Sequence, residues 1–247
     1  MRDTRIVMGM PVTVDIIDAV PATLLEEVYD YFLGVDQRFS LYKDDSEISA
    51  YNRGEVPPQK LSGEMKQVFA LAERTQIESK GFFDMRNSDG QIDPSGIVKG
   101  WAIRNAAAIM SAAGCKNFYV DAGGDIQAEG KNAEGENWRV GIRSPFHDRE
   151  IIKVISLSGQ GIATSGSYVR GHHIYNPHAP GQKITDIVSL SVIGPDVLEA
   201  DRFATTAFAM GESGIYFIEE KLGFEGYMVN AKGIATMTTG FGAYVVS

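Results

Sequence analysis

The spacing of apolar residues predicts several helices along the chain. Leu24, Val28 and Phe32 recur at helical intervals and share one face of the first of these segments. A glycine just beyond the last apolar position is typical of a helix end, and Gly81 and Gly114 close the second and third segments in this way. The predicted helices span residues 22–40, 63–81, 93–114, 199–210 and 213–222.

β-Branched and aromatic residues at alternating positions predict strands in the rest of the chain. We expect them over 5–18, which has a Gly-Pro interruption, then over 117–130, 138–145, 151–166, 172–177 and 185–194, with two or three more in 225–246. Residues 41–62 are rich in turn-forming types and predict a polar loop. Because the strands cluster rather than alternate with helices, the pattern favours an α+β fold, and the absence of a linker predicts one domain over 1–247.

Charge and composition restrict the possible partners. A net charge of -9 argues against a nucleic-acid or anionic-membrane binder, since both need a basic face. Cys115 is the only cysteine, which excludes an intramolecular disulfide and a cysteine-based metal cage. The first residues lack the apolar core of a secretory signal, and no apolar run is long enough for a membrane span. We therefore expect a cytoplasmic protein as the chain stands, or an exported one if a leader has been removed.

Asp201 and Thr205 stand four residues apart in "EADRFATTAFAMG", so a helix would place both side chains on one face. One interpretation is that Asp201 caps the helix N-terminus while Thr205 is unremarkable. The other is that the pair binds a hard cation, because carboxylate and neutral oxygen atoms are the ligands that Mg²⁺ prefers. Spacing alone leaves both open.

Two glycine-containing segments suggest close backbone approaches. "DPSGIVKG", residues 93–100, opens a helix whose amides could meet an anion, and Lys99 adds a positive charge in the first turn. It lacks the spacing of a P-loop, so a glycine-lined turn with a surface lysine is the alternative. "VDAGGDIQAEG", residues 120–130, has paired glycines that indicate either a bulge beside another group or a tight bend.

Histidines and aromatic residues supply further candidates. Residues 161–181 contain three of the four histidines, but no Glu or Cys accompanies them, and adjacent His172 and His173 would point to opposite faces of a strand. A single histidine that donates a hydrogen bond or carries a proton is the functional interpretation, and a buried structural histidine is the alternative. Phe39, Tyr42 and Tyr51 could stack on a planar ligand or fold back onto the core.

The order of these segments resembles the ApbE family of FAD:protein FMN transferases. The matching segments are "MGM", "FSLYKDDSEISAYN", "DPSGIVKGWAI", "DAGGDI", "GIATSGSY", "HHIYNP" and "ADRFATTAFAMG", and the resemblance runs from about residue 6 to 246. It implies an α+β fold of the T-fold type, with antiparallel sheet and packed helix pairs. It also implies transfer of FMN from FAD to a threonine or serine hydroxyl of a target flavoprotein, with Mg²⁺ as cofactor and AMP as the released product.

The resemblance also implies roles for individual residues. Asp201, Thr205 and the backbone carbonyl of Gly96 match the family's metal ligands. Asp93 and Lys99 match positions at the FAD, with Lys99 near the pyrophosphate. Two further positions, Met8 and Tyr42, match residues that contact the flavin nucleotide, and His173 matches a histidine beside the ligand. Either His173 or Asp93 could take the proton of the acceptor hydroxyl.

The chain departs from the family pattern at several positions. Arg104 stands where the family usually has an acid, Asn176 stands where an aspartate is common, and the stretch after residue 90 that leads to the DPSG turn is shorter than usual. The altered segment at Asn176 and the shortened stretch keep one alternative open, which is an FAD-binding or carrier protein without transfer activity. A second alternative is a Mg²⁺-dependent FAD pyrophosphatase, in which water replaces the acceptor hydroxyl and FMN and AMP are the products.

Overall fold

The computed structural model describes residues 1–87, 90–147, 150–167 and 174–246. The helices are α1 (Ala22–Phe39), α2 (Glu47–Asn52), α3 (Gly63–Glu78), α4 (Ser95–Ala112), α5 (Val197–Ala209) and α6 (Gly214–Glu219). The strands are β1 (Arg2–Val7), β2 (Met10–Ile16), β3 (Phe118–Ala122), β4 (Asp125–Glu129), β5 (Trp138–Arg143), β6 (Ile151–Leu157), β7 (Gly161–Gly166), β8 (Ile187–Gly194), β9 (Glu225–Asn230) and β10 (Ala235–Met237). Within this part of the chain, no helix combines the length and the apolarity that a membrane span needs.

Eight of the described strands form one sheet in the order β1-β2-β3-β4-β7-β8-β9-β10, and β5 pairs with β6 in a separate ribbon. All of these strand pairs are antiparallel. Strand β2 alternates buried and more exposed residues, with Val12, Val14 and Ile16 turned inward, as expected for a sheet with one face in the core. The prediction of an α+β fold with antiparallel sheet is confirmed.

Helices cover one face of this sheet in two groups. Helices α1, α3 and α4 bury their apolar residues with strands β1–β3 in one cluster, where Trp101 of α4 packs edge-on against Phe39 of α1. Helices α5 and α6 pack with β7–β9 in a second cluster. A third cluster combines residues of β4, the β5–β6 ribbon and β9. Helices α4 and α5 therefore meet near the middle of the sheet, where β4 and β7 are neighbours.

Three local predictions need correction. Residues 5–18 belong to a hairpin rather than one strand, because Met8 and Gly9 both adopt positive φ angles and turn the chain. The predicted loop 41–62 contains α2, whose first turn is capped by the Ser46 hydroxyl. Residues 174–177, predicted as the end of a strand, form no strand. In that segment Tyr175 donates a hydrogen bond to the Arg86 carbonyl instead of pairing with the sheet.

Candidate active site

The N-terminus of α5 is fixed by two groups from the sheet. The buried Gln127 on β4 accepts a hydrogen bond from the Val197 amide at 2.9 Å through Oε1. Gly161 at the start of β7 lies so close that a Cβ there would sit 2.0 Å from the same amide nitrogen. The helix is capped by Asp196, whose carboxylate accepts from the Glu199 amide. Asp201 is therefore not the cap, and the first interpretation of its role is wrong.

Asp201 lies at the contact between α5 and α4 and is 3% exposed. Its Oδ2 accepts a hydrogen bond from the Gly100 amide at 2.8 Å. A Cβ at Gly100 would lie 2.7 Å from Asp201 Cβ and 2.9 Å from the Val197 carbonyl oxygen, closer than real side chains approach. The glycine thus lets the two helices come together with the carboxylate between them.

A buried ion-pair cluster surrounds this contact. Lys99 Nζ lies 2.5 Å from Asp125 Oδ2 and 3.7 Å from Asp201 Oδ1. Asp125, at the start of β4, is 1% exposed, and its Oδ1 accepts a hydrogen bond from the Thr164 amide on β7. Two carboxylates and one ammonium therefore meet where β4, β7, α4 and α5 converge, and the three groups carry one net negative charge when all are ionised.

Burial raises the pKa of the Asp201 carboxyl well above its ordinary value. The Lys99 ammonium and the Gly100 amide act in the opposite direction and favour the carboxylate, whereas the neighbouring Asp125 raises the Asp201 pKa further. A second positive charge at this position would favour the ionised form. The electrostatics of the cluster are therefore suited to a bound cation.

Thr205 and Gly96 lie beside this cluster and are partly accessible. Thr205 is one turn beyond Asp201 on α5, and its Oγ1 lies 3.4 Å from Ser165 Oγ on β7. A Cβ at Gly96 would lie 3.3 Å from Thr205 Cγ2, so the first turn of α4 is in contact with Thr205. The structure thus brings together Asp201, Thr205, Gly96 and Lys99, all of which were chosen from the sequence.

The remaining predicted site residues lie at other positions. Asp93 precedes α4, where its Oδ1 accepts from the Ser95 amide at 2.9 Å. Met8 is part of the β1–β2 turn, which lies beside the Gly123–Gly124 turn, since Met10 Sδ would be 3.0 Å from a Cβ at Gly123. The Tyr42 side chain is fully exposed. His173 lies outside the described residues.

The other two aromatic candidates fold back onto the core. Phe39 is buried, and Tyr51 packs edge-on against Phe69. The paired glycines of "DAGGDI" form the tight bend between β3 and β4, with positive φ at both positions. That bend is the alternative that the sequence left open.

Asp125 belongs to the buried ion-pair cluster, although the sequence did not predict it as a site residue. It belongs to the "DAGGDI" segment, in which the paired glycines, rather than the acid that follows them, indicated a special role. An acid at the first position of a strand whose next three residues are buried was the available signal, since buried carboxylates need a partner. The partner, Lys99, is distant in sequence and became evident only from the fold.

Comparison with known proteins gives a consistent family signal. The family described as "ApbE family" matches residues 8–87 and 85–228 of the chain. The FAD:protein FMN transferase of Escherichia coli K12 is 28% identical over 190 residues, covering 72% of this chain and 54% of that protein. The corresponding transferase of Klebsiella pneumoniae 342 is 34% identical over 153 residues, covering 58% of this chain and 43% of that protein. The chain thus spans about half the length of these curated relatives.

Solved structures show the same fold. The flavin transferase ApbE from Vibrio cholerae superposes with a TM-score of 0.88 at 23% identity, covering 99% of this chain and 98% of that one. The ApbE protein from Thermotoga maritima superposes with a TM-score of 0.86 at 20% identity, covering 100% and 99% of the two chains. At these identities the likeness concerns the fold.

Proposed function

The chain belongs to the ApbE family, and from that premise we propose that it transfers FMN from FAD to a threonine or serine hydroxyl of a target flavoprotein. AMP is the leaving product, and Mg²⁺ is the metal cofactor. The curated relatives named above are FAD:protein FMN transferases, which supports this choice of reaction. The observation that carries the proposal is the buried Lys99–Asp125–Asp201 cluster beside the accessible Thr205.

The residues present fit a magnesium ion. No group of three carboxylate, histidine or cysteine side chains suited to a metal converges anywhere in the described residues, so a soft or purely side-chain site is not indicated there. Asp201, the Thr205 hydroxyl and the Gly96 carbonyl instead offer one charged and two neutral oxygen donors. Magnesium commonly takes only one or two protein carboxylates and completes its shell with water and substrate phosphate. We propose that these three groups hold it.

Transfer requires a hydroxyl oxygen to attack the FMN phosphorus while the pyrophosphate P–O bond breaks. The acceptor loses its proton, and AMP leaves with the bridging oxygen. When bound, the metal supplies Lewis-acid stabilisation of the phosphoryl oxygens. Lys99, in the same cluster, would place a fixed positive charge near the pyrophosphate. That charge would stabilise the negative charge that develops there during the reaction.

Other residues would bind the nucleotide and handle the proton. Met8 and Tyr42 are proposed to contact the flavin nucleotide, and the exposed Tyr42 ring is available for stacking. Asp93 and His173 remain the two candidates for the base that takes the acceptor proton. Asp93 lies just before the N-terminus of α4, three residues before Gly96, whose carbonyl is a proposed metal ligand.

A matched pair of variants tests the site. Thr205→Val removes the proposed hydroxyl ligand, whereas Thr206→Val changes the neighbouring threonine, whose hydroxyl donates to the Arg202 carbonyl within the helix. We expect Thr205→Val to lose most of its Mg²⁺-dependent AMP release from FAD, and Thr206→Val to retain it. AMP release by chromatography is the measurement. Equal activity of both variants would refute the metal assignment, and wild-type protein that binds FAD without releasing AMP would indicate a carrier.

A further inference from the structure

The two oxygens of Asp125 have different surroundings. Oδ1 accepts the Thr164 amide hydrogen at 3.0 Å, which fixes the carboxylate against β7. Oδ2 is buried without a hydrogen bond of acceptable geometry, and it lies 2.5 Å from Lys99 Nζ. A buried carboxylate oxygen is costly unless a charge compensates it, so the Lys99 ammonium is what stabilises Oδ2 here.

The Lys99 ammonium lies near two carboxylates at unequal distances. Its Nζ is 2.5 Å from Asp125 and 3.7 Å from Asp201 Oδ1, beyond hydrogen-bond range. The lysine side chain is only 18% exposed, so its ammonium is largely shielded from bulk water while it interacts with both carboxylates. If the charge of Asp125 were removed, Asp201 would be the carboxylate of this cluster that remains beside it.

We propose that Asp125 is a positioning residue that holds the Lys99 ammonium away from Asp201 and so leaves Asp201 Oδ1 available to a divalent cation. The inference rests on the proposed function, because it assigns the cation to Asp201. Asp201 Oδ2 is already engaged by the Gly100 amide, which makes Oδ1 the oxygen that Lys99 and the cation would contest. Asp125 decides that competition without touching the cation itself.

Cation affinity measured without turnover tests this role. Mn²⁺ is the probe, and its unbound fraction is counted by electron paramagnetic resonance for the wild type, Asp125→Asn, Lys99→Met and the double variant. Loss of a residue that supports a metal ligand typically weakens metal binding about tenfold or more. We expect a loss of that size for Asp125→Asn, because Lys99 moves onto Asp201. In the Lys99→Met background the same substitution should change Mn²⁺ affinity by less than about threefold, since no ammonium remains to move.

Asp121→Asn serves as the control. Its carboxylate lies on the same β3–β4 hairpin, accepts from the Tyr119 hydroxyl and the Gly124 amide, and interacts electrostatically with Asp125. We expect wild-type Mn²⁺ affinity from this variant. A loss as large as that of Asp125→Asn would mean that any nearby negative charge suffices, which contradicts positioning.

The outcomes separate this inference from the proposed function. If the wild type binds no Mn²⁺, the metal assignment fails and the inference fails with it. If the wild type binds Mn²⁺ but Asp125→Asn weakens binding equally with and without Lys99, only the positioning role is overturned. Circular dichroism checks folding, and Asp125→Ser, which retains an acceptor for the Thr164 amide, replaces Asp125→Asn if the latter does not fold.

Discussion

Asp201 combines deep burial, a hydrogen bond from Gly100 and a neighbouring carboxylate on Asp125. Its ionised form loses hydration without gaining a close ion pair, because Lys99 lies nearer to Asp125. Burial of the ionised Asp201 therefore destabilises the folded state, and a bound cation would offset this destabilisation. Unfavourable arrangements such as a buried charge are common at functional sites, where activity takes precedence over stability.

Replacing Asp201 should make the cation-free protein more stable at neutral pH. The folded-state pKa of Asp201 is raised, so the folded state retains a proton that the unfolded state has lost. The free energy of unfolding therefore falls as pH rises from the ordinary Asp range toward neutrality. Asp201→Asn keeps a side-chain oxygen that accepts the Gly100 amide hydrogen. It also removes the titrating carboxyl, so the unfolding free energy no longer falls with pH for this reason.

Chemical denaturation at several pH values, in the presence of a chelator, measures the effect. We expect the unfolding free energy of Asp201→Asn to exceed that of the wild type at neutral pH, and the difference to shrink below the ordinary Asp pKa. A variant that is less stable than the wild type at every pH would contradict the account of Asp201 burial.

Gly100→Ala should separate α4 from α5. The new Cβ would meet Asp201 Cβ at 2.7 Å and the Val197 carbonyl at 2.9 Å, and neither atom can rotate away. Overpacking of this kind costs about 1–3 kcal/mol. We expect a lower melting temperature together with weaker Mn²⁺ binding. Gly34→Ala, which adds a methyl in the same kind of helix where nothing lies within 4 Å, is the control and should retain both properties.

At the residue scale the sequence indicated most of the cluster, and the reason is local. Asp201 and Thr205 are related by helical spacing, and Gly96 and Lys99 belong to one short segment. Asp125 could not be linked to them from the sequence, because its ion pair with Lys99 joins strand β4 to helix α4, and strand β3 lies between the two along the chain. Contacts set by strand order are not visible in a single sequence.

Helix α5 is the element on which the site depends, and it is anchored at two positions. Gln127 and Gly161 position its first residue from the sheet. Further along the helix, buried Arg202 pairs with Glu199 and with Glu78 of α3. The helix therefore has a fixed position and rotation, which is what places Asp201 toward α4.

Gln127→Met should loosen the start of α5 while preserving the volume of the side chain. The buried Val197 amide would lose its acceptor, and an unsatisfied buried donor costs about 1–3 kcal/mol. We expect a corresponding fall in unfolding free energy and faster hydrogen exchange at the first turn of α5. Unchanged exchange at that turn, measured by mass spectrometry, would show that Gln127 does not anchor the helix.

Long elements with a clear period were predicted well, whereas the six-residue helix α2 was not. Helices α1, α3 and α4 follow from apolar spacing and glycine ends, and their observed bounds agree closely with the prediction. Helix α2 has six residues in a polar stretch, with Ile48 as its only buried residue, so periodicity could not reveal it. The β1–β2 turn was missed because Met8, a residue that rarely adopts positive φ, occupies it.

At the scale of the whole molecule, one sheet brings together residues that are far apart along the chain. Strand β4 contributes Asp125 and β7 contributes Thr164 and Ser165, while α4 and α5 supply the lysine and the proposed metal ligands. The net charge of -9 makes this an acidic protein, so binding of a phosphate-bearing substrate requires a local positive charge. The Lys99 ammonium and a cation at Asp201 would provide it.

The most direct test of the account is the mass of an acceptor protein after incubation with this protein, FAD and Mg²⁺. The acceptor carries a threonine or serine in the modification motif of the family, and a variant with alanine at that position is the control. We predict an acceptor heavier by one FMN, with release of AMP and with no change in the alanine control. AMP and free FMN with an unmodified acceptor would contradict transfer and establish hydrolysis of FAD instead.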